Sequence, residues 1–152
     1  MPWGEPIRVF LVQLDQLREY KPGSDSNKLL IDADKIIYPF TAREQIRSSV
    51  VVEKIQGAWN ATNFGGPHLI KILANIRRNA SDSTGIPVSS YIAVQVPALN
   101  LYFIGHGTDK ELMLTPLLDD PSFGFKAGRT ISAIDVFTAI LPSVKEHNGL
   151  PR

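Results

Sequence analysis

A histidine between two glycines is the arrangement in this 152-residue chain that most suggests chemistry. His106 ends an apolar run that starts at Leu99, and it is flanked by Gly105 and Gly107. A histidine where a buried strand ends can accept or donate a proton near neutral pH, as a general base does. The alternative is a turn residue, because the two glycines supply backbone freedom where a strand leaves the sheet. The sequence leaves both interpretations open.

The residues that would complete a catalytic or metal site around His106 are missing from the sequence. There is no cysteine, which excludes disulfides, thiolate metal sites and cysteine nucleophiles. No serine has the Gly-x-Ser-x-Gly flanks of a hydrolase nucleophile. His68, His106 and His147 are far apart and form no His-x-x-x-His pair. We therefore expect no metal, no cofactor and a function other than catalysis.

An anion-binding loop is a further hypothesis. Gly65 and Gly66 precede a predicted helix, whose first backbone amides favour an anion. Three basic residues of that helix could add positive charge, namely Lys71, Arg77 and Arg78. Lysine and arginine together number 16 against 15 acidic residues, so the molecule has no net field that attracts nucleic acid. The net charge therefore argues against a nucleic-acid partner, and a module that binds an anion or nucleic acid through these five residues is the last alternative.

Four aromatic residues fall in segments that we predict to be loops: Trp59, Phe64, Phe123 and Phe125. Aromatic residues are uncommon in loops unless they pack on something. At an interface, a single aromatic anchor contributes about 2 kcal/mol or more. Together with the missing catalytic set, this pattern predicts a non-enzymatic structural or assembly subunit. Its partners would be other protein subunits, in a homo-oligomer or a larger assembly.

The elements that position these residues are predicted from hydrophobic periodicity. Ile7 to Leu14 is a continuous apolar run and predicts a buried central strand. Lys28 to Phe40 favours extended structure. Thr41 and Glu44 have the spacing of a capping box, which predicts a helix over residues 42–50 followed by a short strand.

Later elements alternate in the same way. They are an irregular loop over Gly57 to Pro67, a helix over His68 to Asn79, two strands over Val88 to Val96 and Leu99 to Ile104, and a helix over Ala133 to Leu141. Ser132 offers an N-cap for the last helix, and Pro142 ends that helix or starts a new turn. The interleaving predicts a single α/β or α+β domain, 1–152, with a mixed, mainly parallel sheet packed by two to three helices.

The order of elements around His106 resembles that of the caspase and metacaspase family. Residues Leu99 to Gly107 resemble the family's third strand, with its aromatic run followed by His-Gly, and Glu111 to Pro116 resembles the short segment that follows. Thr130 to Phe137 is similar to the start of the next helix. The resemblance implies a caspase-like hydrolase fold in which His106 polarises the substrate or accepts the nucleophile's proton. Because the family's nucleophile is a cysteine, it implies an inactive or truncated domain.

The sequence also favours a soluble protein. No apolar run approaches the ~20 residues that span a bilayer. Proline and charged residues interrupt Met1 to Phe10, which therefore does not resemble a signal peptide. We expect a cytoplasmic or other intracellular location, or a place in a soluble assembly, and no membrane partner.

Overall fold

A mixed β-sheet organises the chain in the computed structural model, which describes residues 5–21, 26–43, 45–64, 67–107 and 111–146. Its strands run in the order β4-β3-β2-β1-β5-β6-β7-β8. They are β1 (Ile7–Leu11), β2 (Ile31–Ala42), β3 (Gln45–Ile55), β4 (Ala58–Thr62), β5 (Ile92–Val96), β6 (Leu101–Gly107), β7 (Leu112–Pro116) and β8 (Ile131–Ser132). The predicted buried strand, β1, lies in the middle of this sheet, as expected, but it ends at Leu11, and Leu14 is the first residue of a helix.

Within the described ranges, three α-helices accompany the sheet: α1 (Leu14–Arg18), α2 (Pro67–Thr84) and α3 (Ala133–Glu146). The prediction of one small α/β domain with a mixed sheet and two to three helices is confirmed. Pro67 is the first residue of α2, where the missing amide hydrogen of proline costs no helical hydrogen bond.

The strands are not mainly parallel, and this part of the prediction is wrong. Within the described residues, β1 and β5 form the one parallel pair, and the other neighbouring strands pair in antiparallel fashion. Short connections explain the pairs β2–β3, β3–β4, β5–β6 and β6–β7, because strands joined by a few residues can only run antiparallel. The longer connections from β1 to β2 and from β7 to β8 also join antiparallel neighbours. Only the long passage from β1 through α2 to β5 is a crossover of the kind that parallel strands need.

The helix predicted over residues 42–50 is also wrong. This segment belongs to the long hairpin of β2 and β3, in which Ile37 lies opposite Val51. Arg43, with a φ of 53°, occupies the turn, and Glu44 lies outside the described residues. The β-branched residues at positions 50–52 favour the extended backbone, and pairing with β2 carries that conformation back to Gln45.

The predicted irregular loop from residue 57 contains strand β4. Gln56 and Gly57 connect β3 to β4, and both have positive φ angles, 52° and 82°. Positive φ at both central residues is the signature of a type I′ turn, whose twist matches that of a two-stranded hairpin. Residues 58–62 therefore continue the sheet at its edge.

Two hydrophobic cores lie on opposite faces of the sheet. The first contains α2 and inward residues of β1, β2, β3, β5 and β6, such as Ala93 and Ile104. The second contains α1, α3 and residues of β5, β6 and β7, such as Val94 and Phe103. Neighbouring residues of one strand point to opposite faces, so the pairs 93/94 and 103/104 establish that α2 lies across the sheet from α1 and α3.

The last helix begins as predicted and continues further. The Ser132 hydroxyl accepts a hydrogen bond from the Asp135 amide at 3.2 Å, as an N-cap does. Pro142 lies inside α3 and does not end it. Proline removes the hydrogen bond to the carbonyl four residues earlier. That residue, Thr138, is exposed, so water can take the place of the lost donor.

Candidate functional site

The four aromatic residues predicted as interface anchors do not gather on one surface. Phe64 and Phe125 are buried, and each makes an edge-to-face contact with an aromatic residue of β6. Phe123 is half-buried and packs on Phe125 with ring centroids 5.7 Å apart. Trp59 alone among the four is exposed, at 52%. Phe64 and Phe125 are therefore core residues, and Trp59 is the exposed member of the predicted set.

The basic residues of α2 have separate surroundings. Arg77 is buried, and its guanidinium donates hydrogen bonds to the carbonyls of Glu5 at 2.8 Å and Pro6 at 3.3 Å. Burial lowers the pKa of Arg77 to about 10. Lys71 and Arg78 are exposed. Arg77 therefore fastens the chain before β1 to α2.

The glycines of the predicted anion loop, Gly65 and Gly66, lie outside the described residues. The structure therefore neither brings them together with Lys71 and Arg78 nor separates them. The anion-binding site stays a prediction.

The register of the hairpins assigns the remaining side chains to a face. Ile37 and Val51 are paired and both belong to the core beneath α2. The next pairs along the hairpin, Ile36 with Val52 and Tyr38 with Val50, therefore point to the opposite face. Trp59 follows them, because it pairs with Lys54 two residues beyond Val52.

This second face of β2 to β4 is apolar, and we call it the open face. Its apolar residues are Ile36, Tyr38, Phe40, Val50, Val52 and Trp59. Val50 is 43% exposed, and neither hydrophobic core of the described chain includes any of the six. Helices α1 and α3 pack on this side of the sheet, but against β5 to β7. The open face is thus a sheet surface that no described helix covers.

Charged residues border the open face. Arg8 pairs with Ile36 in the sheet register and forms an ion pair with Asp32 at 2.6 Å. Its guanidinium also lies 5.3 Å from the centroid of the Phe10 ring, within the range of a cation–π interaction. Lys54 supplies another positive charge beside Trp59. An apolar centre with a rim of mixed charge is the usual anatomy of a protein interface.

Strand β4 forms the edge of the sheet on this side, and its outer edge has no partner strand in the described chain. Residues 58–61 are exposed. Unpaired amides and carbonyls along such an edge can pair with a strand of another chain. The open face and this edge meet at Trp59.

The sequence contains a signal for the open face that periodicity alone missed. Residues 36–40 and 50–52 are uninterrupted apolar runs in neighbouring strands. A strand that is buried on one face alternates apolar and polar residues, whereas a continuous run is typical of a strand buried on both faces. These runs predict that both faces of β2 and β3 are covered, whereas the described chain covers one of them.

His106 lies inside strand β6, opposite Met113 of β7, so its interpretation as a turn residue is wrong. It is 7% exposed, and its ring lies 5.0 Å from the ring of Tyr91. Gly105 lies in a tightly packed position, because a Cβ atom there would lie 3.1 Å from the Val94 side chain. Nδ1 of His106 is buried without a hydrogen-bond partner. Burial lowers the pKa of His106.

His106 also lines a cleft of about 360 Å³ between α2 and the sheet, which we call the α2 cleft. Its other lining residues are Ile76, Asn79, Ala80, Ser83, Thr84, Thr115, Gly128 and Thr130. Activation of a nucleophile by Nδ1 would require a hydrogen bond from a hydroxyl group, and this nitrogen has none. The caspase-like role of His106 stays a prediction.

Other classes of site receive no support from the described residues. Among them, no three histidine, aspartate or glutamate side chains lie together as metal ligands would. No described helix is both long and apolar enough to cross a bilayer. No protein-family model, curated protein or solved structure matches this chain.

Proposed function

We propose that this protein is a structural or assembly subunit that contacts another protein subunit through the open face and the adjoining edge strand β4. The observation that carries the proposal is the exposure of Trp59 and Val50 on a sheet face that no described helix covers. Its partner would place an apolar surface over Trp59, Val50 and Tyr38.

The first support is energetic. Burial of apolar surface contributes roughly 25 cal/mol per Å² removed from water. Six apolar side chains on one face, at least partly exposed, therefore represent free energy that folding of the described chain does not use. Binding of a partner that covers them would release this free energy. Tryptophan, the residue at position 59, is one of the residue types enriched at the energetic centre of interfaces.

The second support is geometric. The face of a twisted sheet packs against a second sheet or a helix, so a partner of either kind fits the open face. The mixed-charge rim, with Arg8 and Lys54 against Asp32, would then fix the orientation of the partner. Contact through this surface needs no catalytic group and no cofactor.

Site-specific photocrosslinking tests the proposal. A benzoylphenylalanine in place of Val50 should give a discrete heavier product in an extract of the source cells. The matched control places the same group at Leu118, which is exposed to a similar extent, 50% against 43%, but lies outside the open face. Mass spectrometry of the product shows whether the partner is a second copy or another protein, and either outcome supports the proposal.

The proposal fails if position 50 gives no product or if positions 50 and 118 give the same products. A second measurement gives the magnitude. Trp59→Ala should weaken the crosslinked complex by about 2 kcal/mol, or roughly 30-fold in Kd. Leu118→Ala should leave the Kd unchanged.

A further inference from the structure

His106 is a buried histidine at the edge of a cleft beside α2. Its Nδ1 atom is sealed from solvent, so a ligand in the cleft would contact the exposed part of the ring. His106 is held where it is, since Tyr91 packs on its ring and Met113 pairs with its backbone. The 7% of His106 that is exposed adjoins the α2 cleft, which it lines.

The walls of the α2 cleft differ in polarity. Ile76 and Ala80 of α2 form an apolar side. Thr115 and Thr130 face it with hydroxyl groups that hydrogen-bond to each other at 2.7 Å. One of these hydroxyls must be the acceptor, which leaves its own hydrogen free for another group.

A second hydroxyl pair stabilises the floor of the cleft. The Thr84 hydroxyl donates to the Ala80 carbonyl at 2.8 Å, so it accepts the hydrogen bond from the Tyr91 hydroxyl at 2.9 Å. The Ile86 amide also donates to it, at 3.1 Å. Thr84 is therefore fully used inside the protein. It fixes Tyr91 and, through the ring contact, His106.

The electrostatics of the cleft select against charged ligands. Among the described residues that line it, none carries a formal charge when His106 is neutral, so these residues offer an ion no counter-charge. Asn79, Ser83 and Thr84 belong to the last turns of α2, where the helix dipole is negative and disfavours phosphate or carboxylate groups. The cleft volume is at the lower end of the ~300–1,000 Å³ typical of small-molecule sites.

We propose that the α2 cleft binds a small uncharged polyhydroxylated molecule of monosaccharide size, with one face against Ile76 and its hydroxyls directed to His106, Asn79 and Thr130. Such a molecule has an apolar face and a ring of groups that both donate and accept hydrogen bonds, which matches the two walls. This inference is independent of the open face and of any assembly that forms there.

NMR of the histidine ring nitrogens tests the proposal with named probes. Titration with D-glucose, D-ribose and myo-inositol should shift the His106 resonances saturably for at least one of them. Glucose 6-phosphate should bind at least tenfold more weakly than glucose, because it adds a charge. His106→Gln assigns the resonances among the chain's three histidines.

Paired variants then locate the site. Thr130→Val should weaken binding roughly fivefold, the worth of one neutral hydrogen bond. Thr138→Val makes the same chemical change at an exposed position of α3, so the Kd should not change. The amide spectrum of each variant reports whether it folds. The proposal is overturned if none of the neutral probes gives a saturable shift, if the phosphate ester binds as well as glucose, or if the two variants weaken binding equally.

Discussion

The two ends of the sheet use similar apolar strands differently. At β5 to β7, helices cover both faces, and Val94, Phe103 and Ile104 are all buried. At β2 to β4, α2 covers one face, and the opposite side chains, such as Val50 and Trp59, are exposed. Strands of like composition thus build a core where helices flank them and a surface where they do not. The buried side chains of β5 to β7 stabilise the fold, whereas the exposed side chains of β2 to β4 are accessible to another molecule.

The largest expected effect concerns the covered end. Phe137 of α3 is buried and makes an edge-to-face contact with Tyr20, with ring centroids 5.5 Å apart. Phe137→Ala should lower the free energy of unfolding by about 3–5 kcal/mol, because it removes a large side chain and leaves a cavity. Val50→Ala on the open face should change it by less than about 0.5 kcal/mol. Urea unfolding measures the change in free energy for both variants, and equal losses would contradict the difference between the two ends of the sheet.

The next effect concerns the attachment of the chain before β1 to α2. Arg77→Met removes both hydrogen bonds to the carbonyls of Glu5 and Pro6. We expect a loss of about 1–2 kcal/mol in the free energy of unfolding. Lys71→Met, on an exposed position of the same helix, should have almost no effect. If Arg77→Met proves as mild as this control, Arg77 does not fasten the segment.

A smaller effect tests how α3 is anchored over the covered end. Ser132→Ala removes the N-cap hydrogen bond to the Asp135 amide and should cost about 1 kcal/mol. Ser143→Ala is the control, since it makes the same change near the other end of α3. Thermal unfolding followed by circular dichroism should show a lower Tm for the first variant alone. A shift of the same size in both would argue against the cap.

The smallest expected effect is a change in how steeply the free energy of unfolding varies with pH. Burial lowers the pKa of His106 below its ordinary 6.5, so the unfolded chain binds more protons than the folded one near that pH. Its contribution to stability is therefore complete above pH 6.5 and is lost as the pH falls through 6.5 toward the folded-state pKa. His106→Gln should flatten this part of the stability curve from urea unfolding. An unchanged slope would contradict the burial of His106.

The covered end of the molecule could be predicted well from the sequence. The helix faces of α2 and α3, the cap at Ser132 and the central strand β1 follow from the local sequence, because their signals lie within a few neighbouring residues. The hairpin of β2 and β3 could not, since the spacing of Thr41 and Glu44 also suits a helix. The choice between a hairpin and a helix depends on pairing between β2 and β3 along their whole length. This pairing joins residues that are not neighbours in the sequence.

The sites were predicted less well for a related reason. Phe64 and Phe125 were offered as interface anchors because they fall in predicted loops, whereas both are buried against aromatic residues of β6. Gly105 suggested a turn at His106, whereas it lies within strand β6 and packs closely against Val94. The chemical type of each residue was informative, but its exposure depends on contacts between distant segments.

Hydrogen–deuterium exchange tests the central claim most directly. The exchange rates of the amides of residues 45–62 would be compared between the isolated protein and its complex with the partner that the crosslink at position 50 identifies. We predict that exchange slows in β3 and β4 on binding and stays unchanged in β6 and β7. Protection confined to β6 and β7, or no protection anywhere, would contradict the assignment of the open face as the contact surface.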